Sequence, residues 1–263
     1  MSYANAQGSR EFVVYRPASF PEKKEARALV VMLHGCTQTA DDFARGTRMN
    51  VAAEREGFIV LYPEQPASAH PQKCWSWYNP EQSSRDKGET ALLAGLIDSV
   101  AQAEGVSATR VSIVGMSAGA AMAANLGVAY PERYAALALH SGIPALAAKD
   151  VTSALAMMRQ GASDGDALGA TALAAMGSHA RPIPVMVLHG GDDRVVSPVN
   201  LAATVREWTV VNGGGAPVEQ VVFDGVGHAW SGGSSEGTYT APSGPDATGM
   251  IVGFLKRVGA IGR

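Results

Sequence analysis

Unbroken apolar runs of strand length recur along the chain, separated by stretches of helical period. Ala28-Leu29-Val30-Val31-Met32-Leu33, Phe58-Ile59-Val60-Leu61-Tyr62, Tyr134-Ala135-Ala136-Leu137-Ala138-Leu139 and Pro184-Val185-Met186-Val187-Leu188-His189 are such runs. Continuous rather than alternating hydrophobicity predicts strands covered on both faces. Val111-Ser112-Ile113-Val114, mostly β-branched, predicts another, and 218–223 a further one. Residues 11–16 alternate only weakly and predict an edge strand ending at Pro17. Between these lie the helical patterns. Residues 40–56 are helix-compatible, Leu92, Leu96 and Val100 with Leu93 and Ile97 follow i, i+4 spacing, and an Ala-rich run follows Gly119. Further helices are predicted over 198–211 and 246–258.

Three stretches break the alternation. Residues 21–27 are charged and predict a hairpin or loop, and 63–87 is long and irregular. Residues 144–180, rich in Ala, Gly and Met without β signal, predict two or three short helices inserted over the sheet edge. Strands alternating with helices imply a mostly parallel central sheet with right-handed crossovers and helices on both faces. The fold class is therefore α/β, and the expected organisation is one catalytic domain over 1–263.

Composition narrows the function classes. The chain has 263 residues, enough for a substantial core, with 46% hydrophobic and 17% charged residues, which excludes disorder. A net charge of −3 without a Lys/Arg cluster gives nothing for nucleic acid or an anionic membrane to bind. No apolar run approaches the length of a membrane span. The first residues, Met1-Ser2-Tyr3-Ala4-Asn5-Ala6-Gln7, carry neither a basic nor an apolar signal-peptide region, leaving an intracellular protein or a trimmed mature form. The two cysteines, Cys36 and Cys74, fit a disulfide in an exporting compartment or two buried thiols in the cytosol. No metal-ligand spacing occurs and no cofactor is expected.

The chemistry starts at Gly115-Met116-Ser117-Ala118-Gly119, a G-x-S-x-G between a strand and a helix. Such a strand-to-helix reversal exposes the serine hydroxyl on the bend, and the Ala118 N–H lies at a helix N-terminus facing the same space. That is a nucleophile with half an oxyanion hole. A serine hydroxyl needs a base, and the base needs a carboxylate to fix its tautomer. Functional groups of such sheets gather at the carboxyl ends of strands. There the chain carries His34-Gly35, Asp193 and His228. The order Ser117, Asp193, His228 is that of α/β-hydrolases. Asp193 is preferred over Asp192 because Gly190-x-x-Asp193 followed by Arg194-Val195-Val196 fits the acid turn. His34 reads as a structural histidine shaping the oxyanion loop, His140 and His189 as packed or hydrogen-bonded, and His70 and His179 as surface loop residues. Met157, Met158 and Met176 read as core or cap packing, with a cap able to line an acyl pocket.

Four segments together resemble the poly(3-hydroxybutyrate) depolymerase family of esterases. They are Leu33-His34-Gly35-Cys36-Thr37-Gln38, Cys74-Trp75-Ser76-Trp77-Tyr78, the Ser117 pentapeptide and Gly227-His228-Ala229-Trp230-Ser231-Gly232-Gly233, with Gly237-Thr238-Tyr239-Thr240 and Gly244-Pro245-Asp246-Ala247 matching too. The resemblance implies the α/β-hydrolase fold, a triad of Ser117, Asp193 and His228, and the Cys36 N–H as second oxyanion donor beside Ala118. It implies a serine esterase acting through an acyl-enzyme on polyhydroxyalkanoates, their oligomers or related esters. Feruloyl or acetylxylan esterase activity with the same triad is the alternative, and a non-catalytic hydrolase-fold binding protein a remote one. The secreted polymer-degrading members carry an export signal and a substrate-binding domain, neither of which is visible here. Oligomers, amorphous polymer and small soluble esters therefore stand beside solid polymer as expected substrates. The resemblance and the cysteine pair favour an extracellular setting. Two further expectations follow. Cys36 and Cys74 form a disulfide pinning the aromatic loop to the oxyanion loop, and Trp75, Trp77, Tyr78 and Trp230 line the ester cleft, where flat rings suit alkyl chains.

Overall fold

Five parallel strand pairings build the molecule around one sheet, and the ends of those strands place the site. A computed structural model describes residues 1–18 and 27–262. In chain order its elements are β1 (Ser2–Asn5), β2 (Gly8–Tyr15), β3 (Leu29–Leu33), α1 (Ala40–Thr47), α2 (Met49–Glu56), β4 (Ile59–Pro63), the single turn α3 (Pro80–Ser83) and α4 (Gly88–Glu104). There follow β5 (Val111–Met116), α5 (Ala118–Ala129), β6 (Ala136–His140), α6 (Val151–Gln160), α7 (Gly165–Met176), β7 (Val185–Gly190) and α8 (Val199–Asn212). The chain then forms β8 (Val218–Phe223), the short β9 (Trp230–Ser231) and β10 (Thr240–Ala241), and α9 (Ala247–Arg257). The eight-stranded sheet runs β1-β2-β4-β3-β5-β6-β7-β8. It is antiparallel at β1/β2 and β2/β4 and parallel from β4 to β8.

The apolar runs are two-faced because the sheet has a core on each side. Leu29, Val31 and Leu33 of β3 join Leu93, Leu96 and Ile97 of α4, Leu126 of α5 and Trp208 of α8. Val30 and Met32 turn the other way, to Phe43 of α1, Met49 of α2, and Ile251 and Phe254 of α9. Side chains alternate across a strand, so a run apolar at every position fills both layers.

Four expectations need correcting or bounding. The strand holding residues 11–16 is second in the sheet rather than outermost, because β1 pairs with its first half, Gly8 to Glu11, while Phe12 to Tyr15 pair with β4. Ser2–Asn5 is too short and polar to announce itself as a strand. The helix expected over 40–56 is two helices, broken at Arg48, whose φ is +55°. The cause is tertiary: Thr248 Oγ1 donates to the Thr47 carbonyl at 2.5 Å, and the Thr47 hydroxyl takes the Phe43 carbonyl. The 144–180 segment does form two helices, but α7 packs on α8 and α5, in the helix layer, rather than over the sheet edge. The hairpin or loop expected at 21–27 lies, apart from Arg27, outside the described residues.

Candidate active site

Ser117 follows β5 directly and holds φ +56° and ψ −123°, a conformation an L-residue adopts only where its surroundings enforce it. The enforcement comes from close backbone packing. A Cβ on Gly119 would run into the Leu33 and His34 carbonyls, and one on Gly115 into the Gly119 carbonyl. Only glycine lets β5, α5 and the end of β3 approach this closely. The Ser117 N–H donates to the His140 carbonyl at 2.9 Å, while its hydroxyl has no hydrogen-bond partner among the described residues.

Against this elbow lies the loop after β3. Gly35 passes so near that a Cβ there would touch Ser117 Cβ at 3.5 Å. The loop's first two carbonyls are occupied: His34 Nδ1–H donates to Gly35 O (2.7 Å) and Trp75 Nε1–H to His34 O (2.9 Å). The Gly35 N–H donates to Gln38 Oε1 (3.0 Å) and the Thr37 N–H to Gln72 O (2.6 Å). The N–H groups of Cys36 and of Ala118, first residue of α5, have no acceptor among the described residues. Two unpaired donors thus sit in the segments next to the serine. His34 is structural in geometry: its Nε2 accepts from the Gln65 N–H at 3.0 Å, which fixes the tautomer, and burial pushes its pKa down.

Asp193 and His228 come from the loops after β7 and β8. His228 Nδ1–H donates to Asp193 Oδ2 at 2.7 Å, leaving the Nε2 lone pair as the basic position. Asp193 Oδ1 accepts from the Val195 and Val196 N–H groups, each at 2.9 Å. Burial alone would raise the Asp193 pKa, yet the hydrogen bonds from His189, His228 and the Val196 backbone hold it well below the usual carboxylate range. Asp192 is exposed and only its backbone is engaged, to Val226 O.

Ser117 and His228 open onto one cavity of about 440 Å³. Trp77, Tyr78 and the α6 side chains Val151, Ala154, Leu155 and Met158, with Val195, make an apolar wall. Thr37, His70, Gln72 and Tyr239 make a polar rim. The cavity also meets the disulfide between Cys36 and Cys74, which joins the loop after β3 to the aromatic segment 74–78.

Two of the four aromatics expected in the cleft are elsewhere. Trp75 is fully buried under the loop after β3, beside His34, where its N–H is spent on the His34 carbonyl. Trp230 is buried on the opposite side of the sheet, stacked on His140 at 4.9 Å and bonded to Thr248. Trp77 and Tyr78 do line the cavity. Among the methionines, Met158 reaches it and Met176 is core. His70, expected at the surface, sits on the rim with Nδ1 accepting from the Gln72 and Cys74 N–H groups. Gln38 and Tyr239 were named only within motifs. Their partners explain why: Gln38 Nε2 donates to Thr238 O at 3.1 Å, and Tyr239 Oη bonds Thr37 Oγ1, both across some 200 residues of chain.

Comparison with known proteins agrees with this geometry. The family described as esterase PHB depolymerase matches residues 11–216. The chain belongs to that family. Among curated relatives, a poly(3-hydroxyalkanoate) depolymerase C of Paucimonas lemoignei is 29% identical over 214 residues, 81% of this chain and 51% of its own. A probable acetylxylan esterase A of Aspergillus fumigatus is 27% identical over 218 residues, 80% of this chain and 57% of its own. The chain thus spans little more than half the length of either. Among solved structures, an acetyl xylan esterase from Aspergillus awamori superposes with a TM-score of 0.72 at 21% identity, covering 92% of this chain and 93% of that one, a likeness of fold. The family member described here therefore has the α/β-hydrolase sheet, and no described helix is long and apolar enough to cross a membrane.

Proposed function

We propose that this PHB depolymerase family member is a serine esterase, acting through an acyl-enzyme on polyhydroxyalkanoate or its oligomers. The observation that carries the reading is the His228–Asp193 pair, 2.7 Å apart, opening with Ser117 onto one cavity. In the proposed reaction His228 Nε2 takes the Ser117 hydroxyl proton as Oγ attacks the ester carbonyl. The tetrahedral oxyanion accepts from the Cys36 and Ala118 N–H groups, each such donor being worth roughly 3–4 kcal/mol in measured cases. His228 then passes its proton to the departing alcohol. Water, deprotonated by His228, attacks the acyl carbon, and Ser117 leaves with that proton, restoring the site. Asp193 stays ionised throughout and keeps the Nδ1–H tautomer.

The apolar wall of Trp77, Tyr78, Leu155 and Met158 suits the methylene and methyl groups of a hydroxyacid ester, and the depolymerase relative supports that class. The polar rim, Thr37, His70, Gln72 and Tyr239, favours a second reading, deacetylation of a sugar ester, supported by the acetylxylan esterase relative. One experiment tests both the activity and the choice. Wild type should hydrolyse p-nitrophenyl butyrate, and Ser117→Ala should lose about 10⁴-fold or more in kcat. Products are then analysed from 3-hydroxybutyrate oligomers and from acetylated xylan. Release of hydroxyacid monomers or dimers supports the first substrate class, and acetate release alone transfers the proposal to the second. Equal rates for wild type and Ser117→Ala would end both.

A further inference from the structure

The proposed reaction uses Asp193 and His228, yet a second imidazole reaches the same carboxylate oxygen. His189 is the penultimate residue of β7 and almost fully buried. Its Nε2 lies 3.3 Å from Asp193 Oδ2 and 3.0 Å from the Val196 carbonyl. Both of those atoms are acceptors, so Nε2 carries the hydrogen and shares it between them. The other ring nitrogen, Nδ1, is then a buried acceptor, and it has no partner among the described residues. A buried acceptor without a donor opposes folding, and an apolar residue of similar size would avoid that cost. Unsatisfied polar atoms of this kind collect where a site uses the other end of the side chain.

We propose that His189 is a positioning residue for the proton relay, holding Asp193 and limiting how strongly its Oδ2 draws on His228. With Oδ1 filled by two backbone N–H groups, Oδ2 is the only atom through which Asp193 acts on His228. A second donor on that atom divides its negative charge and stops the carboxylate from rotating. Without it, the full charge faces His228, stabilises the imidazolium, and leaves less free base at a given pH. The carboxylate would also lose one of its fixed directions, which slows proton transfer without touching substrate. The titratable groups facing this pair are His140 at the end of β6, His228 on the loop after β8, and Tyr239, whose ring meets His228 edge-on at 6.4 Å. His228 is already the other donor to Oδ2, and His140 and Tyr239 bond Ser141 and Thr37 instead, so neither replaces His189 there.

The inference rests on the esterase reading, and the test separates the two. His189→Leu removes the donor, whereas His189→Gln keeps an amide N–H near the position of Nε2. The pH profile of kcat/KM is measured on p-nitrophenyl butyrate for wild type and both variants. In His189→Leu the acid limb should move to higher pH by about half a unit. Its kcat should fall about tenfold while KM stays unchanged, and His189→Gln should restore both readouts. A His189→Leu profile that overlays wild type, or a His189→Gln enzyme as impaired as His189→Leu, overturns the proposal. Should neither variant fold, nitrogen-15 NMR of the histidine-labelled wild type decides: the Nε2–H tautomer of His189 is required, and an Nδ1–H tautomer refutes it. A wild type inactive on every ester defeats the esterase reading and this role with it. An active wild type with unmoved variants defeats the role alone.

Discussion

At Gln38 one amide group ties together three segments. Its Oε1 accepts the Gly35 N–H, and its Nε2 donates to Asp42 Oδ2 at 3.0 Å and to the Thr238 carbonyl. Asp42 in turn accepts from the Thr238 N–H at 3.0 Å and its hydroxyl at 2.6 Å, so the strap carrying Tyr239 is fixed to the loop after β3 through Gln38. Gln38→Leu keeps the volume but leaves the Gly35 N–H unpaired, a loss of about 1–3 kcal/mol. Because the Cys36 amide follows directly, we expect kcat on p-nitrophenyl butyrate to fall about 10²-fold, the scale of a lost oxyanion donor. Thermal melts and initial rates check the two effects separately, and an unchanged kcat would remove Gln38 from the site's support. Ser117, Asp193 and His228 were legible in the sequence because each sits at a strand end with a local signature: a small-residue elbow, a Gly-x-x-Asp turn, a Gly-His. Gln38 has no such signature. Its role depends on Thr238, 200 positions away, and periodicity carries no information at that separation. Trp75 and Trp230 were misplaced for a related reason. Aromatic residues flanking catalytic motifs fit a cleft or the layer beneath it equally well, and only the partner of each indole N–H, His34 O or Thr248 Oγ1, decides.

Among the elements, the parallel strands were legible and the irregular segment after β4 was not. A strand buried on both faces writes itself as an apolar run. By contrast, the chain between Pro63 and Gly88 is ordered by polar contacts that have no period. Glu89 organises it, being salt-bridged to Arg10 at 2.6 Å and accepting from the Ser76 N–H at 2.6 Å and from Gln65 Nε2. Gln65 Nε2 also donates to the Cys74 carbonyl. The Cys36–Cys74 bond and the Thr37-to-Gln72 hydrogen bond then join this segment to the loop after β3. A bridge closing 38 residues restricts the unfolded chain by about 4 kcal/mol in the chain-entropy description. The Cys36→Ser/Cys74→Ser double variant should lose up to that amount in urea unfolding under non-reducing conditions. Cys36 presents its backbone N–H rather than its sulfur to the proposed oxyanion, so the chemistry itself survives the substitution. The expected signature is thus a large drop in unfolding midpoint with a smaller drop in kcat measured well below that midpoint. An unfolding curve that coincides with wild type would show that the polar contacts around Glu89 hold the segment unaided.

Across the whole molecule, two buried ionisable groups on opposite sides of the sheet set the limits of pH stability from opposite directions. His140, stacked between Trp230 and Phe223, has its pKa pushed down to about 3, chiefly by burial. The unfolded chain protonates this histidine below about pH 6.5 while the folded protein refuses the proton, so stability falls as pH drops from there towards 3. Glu207 of α8 behaves oppositely. It is fully buried, Oε2 accepts only the Ala145 N–H at 3.1 Å, Oε1 has no partner among the described residues, and burial raises its pKa well above the ordinary value. The folded protein therefore keeps this carboxyl protonated while the unfolded chain ionises above about pH 4.3, so stability falls as pH rises through that window. Glu207→Gln keeps the shape and the acceptor for Ala145 but cannot ionise in either state. Its melting temperature should match wild type near pH 4 and exceed it at pH 8 by about 2–4 °C, the shift expected from roughly 1 kcal/mol at this chain length. The acid-side decline set by His140 should be identical in the two proteins, which gives the series an internal reference. Melting curves that run parallel from pH 4 to pH 9 would show Glu207 to be ionised in the folded state, with a donor to Oε1 supplied by solvent.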